Sequence, residues 1–178
     1  IIDAKSFDIQ GGVMPDQGAA RAYFEKTQAT LFRLPMELMG ITDRSSLEAA
    51  RSAGLAYGQA RALCLLAHDA ARGRLLLPRD LLERHGLTPE RVFEDPSARQ
   101  LAAPIAEWSA EAATLEHDVR SGLGDCSASV RRALLPFALT RAELSSLQGA
   151  AARGQIGVQL TPLGRLARLI WAALKGRP

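Results

Sequence analysis

Arg61, Leu65 and Asp69 follow one another at intervals of four, and Arg72 and Arg74 flank Gly73 just beyond them. On a helix that interval places the first three along one stripe. Two carboxylates at i and i+4 on such a stripe would hold Mg²⁺ against a diphosphate, because Mg²⁺ takes hard oxygen ligands, usually one or two carboxylates plus phosphate oxygens. Here the pair is incomplete. Asp69 is a carboxylate, position 65 is Leu, and position 61 is Arg, which can hold a phosphate but cannot ligate a metal. The stripe therefore points to anion binding with no metal ligand set and no catalytic residue. Arg61, Arg72 and Arg74 are candidates for an anionic head group. Asp69 is either a remnant ligand or the partner of Arg72 one turn away. Tyr23 and Tyr57 could line an apolar pocket between helices, or serve as ordinary core aromatics. His68 has no carboxylate stripe beside it and reads as structural.

The elements that must position these groups are helical. Asp16 can cap a helix from about Gln17 to Met39, with a kink or early stop at Pro35 and Gly40 at its end. Ser45 with Glu48 makes a capping box for a long helix to about Arg72, closed by Gly73. Leu75 to Pro78 reads as an extended connector, followed by a short helix from Arg79 to His85 and another opened by Thr88-Pro89. A third long helix runs from Asp95-Pro96 to about Ser121. Its Glu107, Glu111, Glu116 and Asp118 read as a solvated face. Ser127 to Ala152 is one helix, or two if Pro136 divides it, and residues 153–160 form a loop. Thr161-Pro162 starts the last helix, whose Leu163, Leu166, Ile170 and Leu174 form an apolar stripe beside Arg165, Arg168, Trp171 and Lys175. Such a helix either lies on an anionic membrane or docks on the bundle. No alternating strand pattern of useful length appears, so the chain reads as all-α, five main helices around one core, a single domain over residues 1–178.

Composition agrees. Hydrophobic residues make up 47% of the 178 and aromatics only 5%, which suits Ala- and Leu-rich helices and excludes a disordered or fibrous chain. The net charge of +3 is mildly basic. No basic run is interleaved with aromatics, so nucleic acid is not the expected partner. Cys64 and Cys126 have no zinc-type spacing and read as free thiols in a reducing compartment. With no signal peptide and no membrane-length apolar run, the expected location is cytoplasmic or peripheral to the inner membrane. The chain opens on IIDAKSFD without Met, which fits a fragment or a processed form.

The stretch Gly54 to Leu87, GLAYGQARALCLLAHDAARGRLLLPRDLLERHGL, resembles the second aspartate-rich region of the squalene/phytoene synthase family, whose pattern is roughly GxAxQLTNxLRDxxEDxxxGRxYLPxD. Gly54, Ala56, Leu63, Asp69, Gly73, Arg74, Leu77, Pro78 and Asp80 match. The departures fall on the chemistry: Gly58-Gln59-Ala60-Arg61 stands for the Gln-Leu-Thr-Asn quartet, Cys64-Leu65 for the Arg-Asp pair, His68 for Glu and Leu76 for Tyr. Further likeness covers Ile2-Asp3 through Asp8, Ala22-Tyr23 to Leu31, and Leu163 to Arg177. The degenerate form is similar to the assembly-factor branch of the family, with Cys64, His68 and Leu77-Pro78 in corresponding places.

The resemblance implies an isoprenoid-synthase-type helical bundle that lacks the family's N-terminal helices, with the first aspartate-rich motif upstream of Ile1. It implies a non-catalytic, membrane-peripheral protein that assists assembly of respiratory complex I or binds a prenyl diphosphate or anionic lipid. Respiratory complex subunits are then the protein partners. The alternative is an active head-to-head prenyltransferase, for which Mg²⁺ would be the cofactor. A second alternative is a plain helical interaction domain.

Overall fold

In the computed structural model, which describes residues 6–97, 99–152, 159–176 and 178, the chain runs α1 (Ser6–Gln10), β1 (Gly12–Val13), α2 (Gln17–Phe24), a π-helical turn (Glu25–Ala29), α3 (Thr30–Leu38), α4 (Arg44–Cys64), α5 (Leu66–Ala70), β2 (Arg74–Leu75), α6 (Arg79–Arg84), α7 (Pro89–Glu94), a 3₁₀ turn (Arg99–Leu101), α8 (Ala102–Gly122), α9 (Ala128–Ala133), a second 3₁₀ turn (Leu135–Phe137), α10 (Ala138–Ala152) and α11 (Pro162–Lys175). Ile2-Asp3 and the 153–158 part of the expected loop lie outside the described residues.

Helix α4 is the axis of the bundle. It packs against α3, α8, α10 and the π turn, and its buried residues include Ala50, Ala53, Gly54, Ala56, Gly58, Ala60, Leu63 and Cys64. Small side chains on several faces let neighbouring helices approach from more than one side, so α4 lacks the single apolar stripe of a surface helix. Two apolar clusters flank it. One joins Phe24, Leu63, Leu77, Leu81 and Trp108. The other joins Phe32, Met36, Ala53, Val119, Val130 and Phe137.

The α2–α3 span breaks, and the break is not at Pro35, which lies inside α3. The helix instead widens into the π turn. Buried Thr27 donates its hydroxyl to the Tyr23 carbonyl at 2.7 Å, and Thr30 reaches back to the Glu25 carbonyl at 3.2 Å. Side-chain bonds of this kind compete with the backbone ladder and bend it. The bulge meets α4 at Gly54: a Cβ built there would lie 2.3 Å from the Ala29 Cα.

Other boundaries also shift. The cap of α4 is Asp43, whose carboxylate accepts from the Ser46 amide at 2.9 Å, while Ser45 donates its hydroxyl to Asp43 at 2.8 Å. Asp43 thus takes the capping role expected of Ser45. The helix expected to reach Arg72 is interrupted at Leu65, and the third long helix begins at Ala102 rather than at Asp95. Pro136 sits in the 3₁₀ turn that separates α9 from α10. Asp16 and Thr161 cap α2 and α11 as expected, accepting from the Ala19 and Gly164 amides. The connector after Gly73 contains a two-residue strand, β2, which pairs parallel with β1 through Gly12↔Arg74 and Val13↔Leu75. Gly73 turns the chain into it with φ of 69°, a left-handed value suited to glycine.

Candidate functional site

The interruption at Leu65 does not disturb the four-residue spacing. The Leu65 amide bonds the Arg61 carbonyl at 3.0 Å, and the Asp69 amide bonds the Leu65 carbonyl at 2.9 Å. The side chains nevertheless go to two different sets of partners.

The first set gathers at the β1–β2 pairing, which brings the α1 end of the chain beside the turn after α5. Arg74 donates to Asp69 at 2.5 Å and faces Asp8 at 3.1 Å; the Tyr23 hydroxyl donates to Asp8 at 2.6 Å. Asp69 is only 2% exposed, so its partner is Arg74 rather than Arg72. Burial opposes the charge on Arg74, but its bond to Asp69 and the two carboxylates raise its pKa above the ordinary value. The Tyr23 hydroxyl is raised by burial and by its bond to Asp8. Its ring also packs edge-on against Phe7 and Phe24, a core role combined with a polar one. Arg72 stands apart on the exposed side and bonds the His68 Nδ1 at 3.0 Å.

The second set lies where α4, α10 and α11 meet. Glu143 is fully buried, and its Oε1 accepts from Arg61 at 3.4 Å and from Arg165. Arg165 also donates to the Tyr57 hydroxyl at 3.1 Å, and Tyr57 packs edge-on against Phe32. Burial pushes the Glu143 carboxyl above the ordinary glutamate value, with the two guanidinium groups working against it. Its Oε2 has no hydrogen-bond partner among the described residues. The Cys64 thiol points at the Glu143 carbonyl at 3.9 Å, and burial followed by the Glu143 charge pushes it up to about 12. Both cysteines are free thiols. A water-soluble thiol reagent should therefore modify Cys126, half-buried, and leave Cys64 until the chain is denatured, because the thiolate is the reactive form. Equal native rates at the two positions, read by mass spectrometry, would contradict this placement.

The sequence offers Arg61, Arg72 and Arg74 for an anionic head group, Tyr23 and Tyr57 for an apolar pocket or the core, and Asp69 as a remnant ligand or the partner of Arg72. The structure divides them among two internal clusters and one exposed pair. It adds Asp8, Glu143 and Arg165. Glu143 had a visible signal, since it falls on the stripe Leu139, Glu143, Leu147 of α10, a carboxylate among buried leucines. Glu116 was expected on a solvated face but is buried and paired with Arg120 at 2.6 Å; Glu107 does lie outside, bonded to Arg84 and His85.

These residues do not fit Mg²⁺. Leu65 offers no ligand, and the Asp69 carboxylate already meets a guanidinium that also meets Asp8. Among the described residues no group of three or more His, Cys, Asp or Glu side chains could hold a metal ion. Arg74 meets two carboxylates and Glu143 meets two guanidinium groups, so among the described site residues the capacity for an anion lies with Arg72 outside and the two arginines on Glu143.

A family model for squalene/phytoene synthase matches residues 1–164. The chain belongs to the squalene/phytoene synthase family. Its likeness to a squalene synthase from Alicyclobacillus acidocaldarius covers 86% of this chain and 57% of that one, with a TM-score of 0.75 at 21% identity. A dehydrosqualene synthase structure gives a TM-score of 0.72 at 15% identity over 97% of this chain and 62% of that one. These two likenesses establish the isoprenoid-synthase fold. Among curated proteins, a presqualene diphosphate synthase of Rhodopseudomonas palustris is 28% identical over 111 residues, 60% of this chain and 40% of that protein. The complex I assembly factor 6 of Bos taurus is also 28% identical, over 60% of this chain and 33% of that protein. The chain therefore spans well under half the length of the curated relatives it matches.

Proposed function

We propose that this squalene/phytoene synthase family member is non-catalytic. In this reading it binds a prenyl diphosphate or an anionic lipid between its helices and acts at the inner-membrane surface in the assembly of a respiratory complex, complex I. The observation that carries the reading is Leu65, an apolar residue on the motif stripe one turn before the remaining carboxylate. Asp69 is buried against Arg74, and Leu65 stands where a second ligand would be needed. Ionising a diphosphate needs a cation to take the developing charge of the leaving group, and the stripe offers that cation one carboxylate where two would be needed. The relatives named complex I assembly factor 6 supply the biological setting. No helix among the described residues is long and apolar enough to cross a membrane, which suits a surface-bound role.

The second reading is an active head-to-head prenyltransferase. It is favoured by the relatives named presqualene diphosphate synthase, two of which match at 28% identity, as the Bos taurus assembly factor does. One assay separates the two. Incubation with farnesyl or geranylgeranyl diphosphate and Mg²⁺ should release no diphosphate above the rate without protein. Measurable turnover that Asp69→Asn abolishes would establish the enzyme reading instead. In the source organism, loss of the chain should lower mature complex I on native gels while isoprenoid products are maintained.

A further inference from the structure

Helix α11 is turned the wrong way for a bundle helix. Its apolar stripe is exposed: Leu163 at 79%, Leu166 at 54%, Ile170 at 51% and Leu174 at 78%. Among its described residues only Ala172 is buried. What holds the helix on the bundle is mainly polar, the Arg165 bonds to Glu143 and Tyr57, together with packing on α10 and the Leu135–Phe137 turn. The family match ends at residue 164, so nearly all of this helix lies beyond it.

The chemistry around the stripe says what would cover it. At 100° per residue, Leu163, Leu166, Ala167, Ile170 and Leu174 fall on one outward arc. Trp171 sits at the edge of that arc, 64% exposed, with the Lys175 ammonium 4.7 Å from its ring centroid. Arg168 and Lys175 follow on the next arc round and border an open groove of about 1230 Å³ shared with Arg141 of α10. Among the described residues no Asp or Glu side chain lines that groove. Helix α3 also exposes leucines, Leu31, Leu34 and Leu38, but its Arg33 is paired with Glu37 at 2.9 Å and offers no excess positive charge.

We infer that the outward face of α11 is a docking surface for an anionic lipid bilayer. Leu163, Leu166, Ile170 and Leu174 enter the acyl boundary, Trp171 sits at headgroup level, and Arg168, Lys175 and Arg141 meet lipid phosphates. The apolar arc supplies binding to any bilayer. The cations supply the preference for anionic lipid and the loss of binding at high salt. The inference rests on the peripheral-membrane part of the proposed function and names the face and the lipid chemistry.

The test uses the whole 178-residue chain with vesicles of phosphatidylcholine alone and of phosphatidylcholine with phosphatidylglycerol. Co-sedimentation should favour the anionic vesicles. Trp171 emission should shift to the blue and escape iodide quenching on binding. Trp171→Phe should remove that response, since Trp108 is buried at 2% exposure throughout. Arg168→Gln with Lys175→Gln should lower partitioning to anionic vesicles roughly 25-fold, at about fivefold per cation, and barely alter partitioning to neutral ones. Leu166→Ser with Ile170→Ser should lower both by more than about tenfold. All four positions are exposed, and circular dichroism checks that the variants stay folded. Wild-type retention that both pairs leave unchanged would overturn the α11 assignment while leaving peripheral binding standing. No retention of the wild type on anionic vesicles would overturn both. A dimer in light scattering that Leu166→Ser with Ile170→Ser dissociates, without vesicle binding, would assign the face to a second copy.

Discussion

Gly54→Ala should lower stability by about 3 kcal/mol, the upper end of what overpacking a core costs. Helix propensity alone predicts the opposite sign, a gain of about 1 kcal/mol for Ala over Gly inside α4. Geometry decides the contest. The added Cβ would lie 2.3 Å from the Ala29 Cα, 2.5 Å from its amide nitrogen and 2.9 Å from its Cβ. The first two are backbone atoms, so no rotamer change relieves the contact. The π turn and α4 must separate by roughly 1 Å, and a gap of that size already forfeits a quarter to a half of each contact's dispersion energy. Thermal denaturation should show a midpoint about 6–12 °C lower, at 2–4 °C per kcal/mol for a chain of this size. Gly58→Ala should cost less, about 1 kcal/mol, because its obstacle is the Phe24 ring at 2.6 Å, a side chain with some freedom to tilt. Gly122→Ala meets nothing within 4 Å and should be neutral or slightly stabilising. If Gly54→Ala melts at or above the wild type, the close contact between α4 and the π turn is not a feature of the fold.

That contact also shows what could and could not be read from the residues. The motif frame Gly54 to Pro78 identified the family, and the all-α architecture followed from helical periodicity with Gly and Pro punctuation. The π turn was invisible, because it arises from Thr27 and Thr30 bonding back along their own helix and from a gap on α4, and neither leaves a periodic signal. Pro35 drew attention as a breaker, yet α3 accommodates it. For the site, Asp69 and Arg74 stood out through the motif and bond five residues apart, but Asp8 joins them at the β1–β2 contact, which brings together residues more than 60 apart through two-residue strands too short to leave an alternating pattern. Asp8 had no signal at all. Glu143 had one, a charge on an apolar stripe, but nothing local named its partners, which come from α4 and α11. The polarity of α11 was legible in its amphipathic pattern. Which way it faced was not, because that depends on Arg165 reaching Glu143 beneath it.

Arg74→Met should cost about 3–4 kcal/mol, nearly the full penalty of leaving a buried ion without its partner. Asp69 is 2% exposed and could not turn to water for its lost bond, while Asp8, whose side chain is 19% exposed, could do so in part. Arg74→Lys keeps the charge but loses the planar fork that meets both carboxylates, and should cost about 1–2 kcal/mol. Asp69→Leu combined with Arg74→Met should recover most of the loss, since a buried ion pair replaced by apolar groups is often neutral. The double-mutant cycle should thus give a coupling energy of about 2–3 kcal/mol. The same melts bear on function. If the carboxylate is committed to Arg74, Mg²⁺ or EDTA should leave the wild-type midpoint unchanged, because a ligand stabilises only by binding the folded state. A midpoint that rises with Mg²⁺ and loses that rise in Asp69→Asn would mean that the carboxylate exchanges its arginine for a metal. An additive cycle with no coupling would mean that the pair does not exist in solution. Strong coupling without a Mg²⁺ response would make Arg74 the permanent partner of Asp69 and leave a metal without this carboxylate.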